Sequence, residues 1–173
     1  MHPTPQRHIV VVRHAKSDWS APEADIDRPL NPRGGRDAPA VGRWIAAQGI
    51  EVDAAVVSPA ARTRATWAML AQAAGLAVQP VFDRGIYLGD ARDLADALRG
   101  VDPDAGCAVL VGHMPGCADF VEWACEGRGE PEALARMRSK FPTAAVAVLG
   151  LDASWPDLGP GCAQLLQFEV CRG

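Results

Sequence analysis

With 173 residues, 49% of them hydrophobic and 22% charged, the chain has the composition of one soluble globular domain, too short for two large cores and too apolar for disorder. A formal net charge of −4 leaves no basic footprint for nucleic acid or an anionic membrane surface, so any anionic ligand has to be held by a local cluster. The five cysteines, Cys107, Cys117, Cys125, Cys162 and Cys171, contain no CxxC pair, which fits neither a disulfide framework nor a structural zinc site; they are expected as small buried hydrophobes.

The first element is an apolar run over 9–12 that ends in Arg13 and His14. Such a run reads as a strand buried on both faces, and the C-terminal ends of strands in open α/β sheets are where ligands bind. Residues 15–31 lack a period and carry Pro22 and Pro29, which predicts a long loop over the strand tips, with Asp27 and Arg28 paired to brace it. Asn31 and Pro32 supply a cap and a first helical residue for a helix over 33–48. A second strand is predicted over 53–57, and Ser58 with Pro59 repeats the cap-then-proline signal for a helix over 59–74.

A third strand over 78–82 follows, then a helix capped by Asp90 and running through Arg99. The run over 107–111 repeats the first strand's pattern and ends in Gly112 and His113. Pro115 and Gly116 open a helix to about Cys125, and the polar segment 128–140 predicts a short helix with loops. Strands over 143–151 and 164–171 close the chain. Alternating strands and helices predict a single three-layer α/β/α domain with a mostly parallel central sheet. No apolar run approaches membrane-spanning length and no signal-like segment stands at the start, so a reducing cytoplasm is the expected location. Trp19, Trp44, Trp67 and Trp123 are expected in the core or the walls of a pocket.

Parallel neighbouring strands would bring Arg13 and His14, Ser58 and Arg62, and His113 to one edge of the sheet. Guanidinium charges repel a metal cation but fork onto phosphate oxygens, and Arg62 would sit in the first turn of a helix whose free N–H groups also favour an anion. The expected site therefore binds phosphate without a metal or other cofactor. A neutral His14, with one ring nitrogen held by an acceptor, can attack phosphorus through the other, while His113, beside the same phosphate, is expected to be protonated and to stabilise the transferring group. Ser58 is expected as helix cap and phosphate neighbour, and Ser17 and Lys16 as pocket lining or solvated loop.

The ordered segments RHAKSDW, DRPLNPRGGRDA, SPAARTRAT and VGHMPG, with KFPTAAVAVL later, resemble the histidine phosphatase superfamily, in particular its small SixA-like branch of phosphohistidine phosphatases. The resemblance covers about 9–149 and implies a phosphoglycerate mutase-like fold. It also implies that His14 is the phosphorylated nucleophile, Arg13 and Arg62 bind the phosphoryl group, and His113 is the second histidine. The superfamily's mutases carry a glutamate acid after the third motif; Asp83 in VFDRGIY is the nearest carboxylate here, with a turn or cap role as its other reading. The expected substrate is a phosphorylated protein such as a phosphotransfer domain. The alternatives are a small phosphate ester, with Asp83 as acid, or a phosphate-binding module without catalysis.

Overall fold

A computed structural model describes residues 6–173. The run at the start forms β1 (Arg7–Arg13), followed by a 3-10 turn at Asp25–Asp27 and the helix α1 (Pro32–Ala47). Then come β2 (Ala54–Val57), α2 (Ala61–Ala74), the two-residue strand β3 (Val81–Phe82) and α3 (Ala91–Arg99). The chain continues through β4 (Cys107–Gly112), α4 (Gly116–Cys125), α5 (Pro131–Ser139), β5 (Ala145–Leu151) and β6 (Ala163–Val170).

The six strands form one sheet in the order β3-β2-β4-β1-β5-β6. The pairs from β3 to β1 are parallel, and β5 alone runs opposite to the other five strands. Period-two alternation divides the core between two helical layers. Val10 and Val12 of β1 pack with Val41 and Ile45 of α1 and Trp67 and Leu70 of α2. Ile9 and Val11 face the other way, into Leu94 and Leu98 of α3, Phe120 of α4 and Leu134 of α5. This is the expected α/β/α sandwich, and β4 is buried at every position because helices cover it on both sides.

Local chemistry sets most boundaries. The Asn31 side chain accepts from Gly34 N–H at 2.9 Å and starts α1, while Asp90 and Asp93 form a reciprocal capping box at α3. The second cap differs from expectation. Ser58 lies outside α2: the helix begins at Ala61 with Ala60 in the cap position, two residues beyond Ser58, whose hydroxyl accepts from the Ala60 N–H at 3.4 Å and meets the His113 ring. The third strand is shorter than 78–82, with only Val81 and Phe82 reaching β2.

The long loop is ordered along β1's exit. Asp18 N–H donates to the Pro29 carbonyl at 2.8 Å and Asn31 N–H to the Lys16 carbonyl at 3.0 Å. Gly34 presses on the same backbone so closely that a Cβ there would lie 2.1 Å from the Lys16 carbonyl oxygen. Trp155, unassigned from the sequence, is fully buried, its indole N–H donating to the Ala105 carbonyl at 2.8 Å. Four cysteines are buried and Cys162 is half-buried. Among the described residues no helix is long and apolar enough to cross a membrane.

Candidate active site

Register brings the two histidines together. Arg13 of β1 lies opposite Gly112 of β4, so His14 and His113 leave adjacent parallel strands at the same level. Their ring centroids are 5.3 Å apart with planes tilted by 55°. On the far side of β4, Val57 of β2 pairs with Val111, which sets Ser58 beside His113.

The backbone at His14 is pinned from several directions. His14 N–H donates to the Gly112 carbonyl at 3.0 Å, its own carbonyl accepts from Ala144 N–H at 3.2 Å, and Ala15 N–H donates to the Thr66 hydroxyl of α2 at 3.0 Å. The ring's Nδ1 lies 2.7 Å from the Ala15 carbonyl oxygen. A carbonyl can only accept, so Nδ1 carries the proton and the neutral ring keeps its lone pair on Nε2. Burial pushes the His14 pKa down to about 3; the Ala15 hydrogen bond opposes this, and His113, Arg62 and Arg13 add to it.

His113 is held differently. Its Nε2 lies 2.7 Å from the Ser58 hydroxyl, whereas its buried Nδ1 has no protein partner among the described residues. The edge of Tyr87 packs against the ring, with centroids 5.6 Å apart. Burial first, and then the Arg62 charge, lower its pKa to about 4, against an opposing pull from Asp25, so the protein groups alone favour the neutral ring, while a phosphate dianion beside it favours the imidazolium.

Three guanidinium groups surround the pair. Arg13 donates to the Phe141 carbonyl at 2.8 Å, and Arg62, in the first turn of α2, donates to the Asp25 carbonyl at 2.7 Å and to its carboxylate at 3.1 Å. Arg28 is the third and was not foreseen as a site residue. It pairs with Asp25 at 3.1 Å rather than with Asp27, because a 3-10 turn brings positions three apart onto one side. Arg28 also donates to the Ser17 hydroxyl, which is buried behind it. The buried side-chain nitrogens without a partner among the described residues are Nδ1 of His113 and Nε of Arg13, Arg28, Arg62 and the distant Arg7. Four of those five sit in this cluster, and the three arginine Nε–H groups among them are unsatisfied donors beside permanent positive charge, which an oxyanion would satisfy.

Asp25 is the carboxylate of the site. It accepts from the Tyr87 hydroxyl at 2.7 Å as well as from Arg62 and Arg28. The Tyr87 hydrogen bond, with the two arginines behind it, holds the Asp25 pKa down at about 2, so it is ionised at neutral pH. Nothing in the local sequence marked it, since its partners lie in distant segments. Asp83 instead accepts from Gly85 N–H at 2.8 Å and caps the turn Arg84–Ile86, the structural one of its two readings. Lys16 is half-buried and enters the loop network through its backbone carbonyl. Trp19 is 74% exposed and lies outside the core, its ring 3.7 Å from the Arg28 guanidinium carbon. Among the described residues no three His, Cys, Asp or Glu side chains are placed to hold a metal ion.

A family model described as histidine phosphatase superfamily (branch 1) matches residues 9–86, the part that contributes His14, Asp25, Arg28, Ser58 and Arg62. An uncharacterized protein of Mycobacterium tuberculosis is 35% identical over 162 residues, covering 93% of this chain and all of that protein. This chain belongs to the histidine phosphatase superfamily. Among solved structures, a candidate phosphohistidine phosphatase SixA from Nakamurella multipartitia aligns over 98% of both chains with 31% identity and a TM-score of 0.84. The protein histidine phosphatase SixA complexed with tungstate shares the fold, with a TM-score of 0.78 at 20% identity over 94% of this chain and 96% of that one. The superfamily places this chain among the phosphatases, with a mixed sheet like those of its phosphoglycerate mutase-like relatives.

Proposed function

We propose that this histidine phosphatase transfers a phosphoryl group to His14 Nε2 and then to water without a metal, and that its substrate is a phosphohistidine on a protein. The observation that carries the reading is the Nδ1–H bond from His14 to the Ala15 carbonyl, which fixes the tautomer of a buried neutral imidazole beside three guanidinium groups. In the first step Nε2 donates its lone pair to phosphorus, the bond from phosphorus to the leaving atom breaks, and the leaving group departs with that electron pair. Arg13 and Arg62 carry the charge on the equatorial oxygens. In the second step water attacks phosphorus while His113 takes its proton, the bond from phosphorus to Nε2 breaks with the electron pair returning to Nε2, and His113 then passes the proton to the departing phosphate, so both rings are restored.

The leaving group sets the substrate class. Asp25 is ionised and Tyr87 already donates to it, so neither offers a proton to an alkoxide. The ring nitrogen of a phosphohistidine leaves readily once its own ring is protonated, and an aryl oxide is also a competent leaving group, whereas an alkoxide is poor. The named function of the Nakamurella relative and of the tungstate-bound SixA supports the same substrate.

Turnover of phosphohistidine, p-nitrophenyl phosphate and an alkyl phosphate separates the readings. The expected order is phosphohistidine fastest and alkyl ester slowest, with all turnover unchanged in EDTA. Fast alkyl ester hydrolysis lost in Asp83→Asn would move the assignment to a metabolite phosphatase. Failure to trap an acid-labile, alkali-stable phosphoryl group on the protein would leave only phosphate binding.

A further inference from the structure

The large hydrophobic side chains exposed among the described residues are Trp19, Met69, Val81, Phe82 and Leu88. Val81 and Phe82 are the whole of the edge strand β3, Met69 lies on the α2 crossover leading to it, and Leu88 follows the turn after it. Trp19 joins the same side of the molecule through contacts: its ring lies against Arg28, Arg28 pairs with Asp25, and Asp25 accepts from Tyr87, next to Leu88. Single exposed apolar groups need no explanation, but Trp19 and Leu88 each stand beside a residue bonded to Asp25 in the site, and Phe82 lies on the edge strand just before that turn.

Leu88 sharpens the point. It is 77% exposed and holds φ at 58°, a backbone conformation that disfavours any residue with a Cβ and is usually given to Gly or Asn. An exposed leucine there gains nothing for the fold, and residues kept against local preference concentrate at functional surfaces. The neighbouring cations fit the same use. Arg64 is exposed with its guanidinium carbon 4.9 Å from the Phe82 ring centre, Arg84 is exposed in the turn before Tyr87, and neither has an ion-pair partner among the described residues. Aromatic, methionine and arginine side chains are the types enriched where proteins meet.

We propose that Trp19, Phe82 and Leu88, flanked by Arg64 and Arg84, form the docking face for the phosphorylated substrate protein. The partner presents an apolar patch bordered by carboxylates beside its phosphoryl group. This rests on the phosphatase reading above and adds where recognition of the protein occurs. A second copy seated permanently on this face would cover the mouth of the site, so the occupant is one that comes and goes with turnover. The edge strand adds open backbone N–H and C=O groups next to the apolar patch, which a passing segment can pair with briefly.

The test uses the full chain and two substrates. A photo-crosslinking amino acid at position 88 in a His14→Ala background, irradiated in the source cells, should join one partner carrying an acid-labile phosphoryl group. That partner, purified and phosphorylated, then serves as substrate for Phe82→Asp/Leu88→Asp. A fall in kcat/KM of at least tenfold, arising in KM, is expected on the protein, with less than twofold change on p-nitrophenyl phosphate. Crosslinking only to a second copy, no crosslink at all, or protein turnover within twofold of the unsubstituted chain would overturn the proposal. Absent turnover of both the phosphoprotein and the aryl phosphate by the unsubstituted chain would instead sink the phosphatase reading itself. Aspartate accepts a positive φ more readily than leucine, so position 88 is not expected to unfold the variant.

Discussion

The tips of β1 and β4 are built alike. Each strand is an apolar run buried between two helical layers, and each is followed at once by a histidine with 7% of its surface exposed. Yet His14 is tied by Nδ1 to a carbonyl, which accepts only, while His113 is tied by Nε2 to a hydroxyl, which can donate or accept. The first arrangement fixes one tautomer; the second permits exchange. Two imidazoles in one electrostatic setting are thereby suited to different work, one to offer a lone pair in a set direction and one to take up and return a proton.

The largest expected effect falls on that division. His14→Ala should lower kcat by about 10⁴-fold or more and leave no trappable phosphoenzyme, whereas His113→Ala should lose about 10²- to 10³-fold and still form phosphoenzyme slowly. Rapid-quench trapping with p-nitrophenyl phosphate checks it, and equal loss of phosphoenzyme in both variants would erase the distinction.

Acid stability bears on what the two rings share. Their folded pKa values, about 3 and about 4, lie below the ordinary imidazole value of 6.5, so the unfolded chain binds more protons throughout that interval. Stability should therefore rise as pH climbs from about 3 to about 6.5 and contribute no further slope above it, with an amplitude on the order of a few kcal/mol. Tm measured against pH for His14→Asn/His113→Asn should show a flatter acid limb.

Ser58→Ala removes the exchangeable partner of His113 and leaves the Ala15 carbonyl in place. About a tenfold loss in kcat is expected, with dephosphorylation slowed more than phosphorylation; equal slowing would assign Ser58 to binding instead. Asp25→Asn should have the smallest effect, a severalfold rise in KM as Arg62 and Arg28 lose their shared anchor. Because the Asp25 charge raises the His113 pKa, the substitution should also lower it, which imidazole NMR titration reads directly.

Much of this was legible in the chain because it is local. A buried run ending in histidine, a cap followed by proline, and ordered motifs each need only a few neighbouring residues, and they located Arg13, His14, Arg62 and His113. The rest depends on contacts between distant segments. Asp25 carries no sign of its role until the loop folds back on α2 and Tyr87. Adjacency suggested Asp27 for Arg28, and only the pitch of a 3-10 turn selects Asp25. Ser58 looked like a cap since serine before proline commonly is one, but the helix starts at Ala61 and the hydroxyl faces His113. The charge state of His113 is not readable from motifs alone, because they report which groups meet, while burial and the charges beside the ring decide how a proton is shared.

Gly34 shows how far the demand for a fixed imidazole reaches into the scaffold. It carries no charge and no reactive atom, but α1 rests on the Lys16 carbonyl at that point with no room for even one methyl group. A mutation there would loosen the loop that leaves β1 after His14 while leaving every ionisable group in the chain intact. Heat-sensitive alleles of this gene should therefore collect along that seam, where inheritance tests clearance and not chemistry.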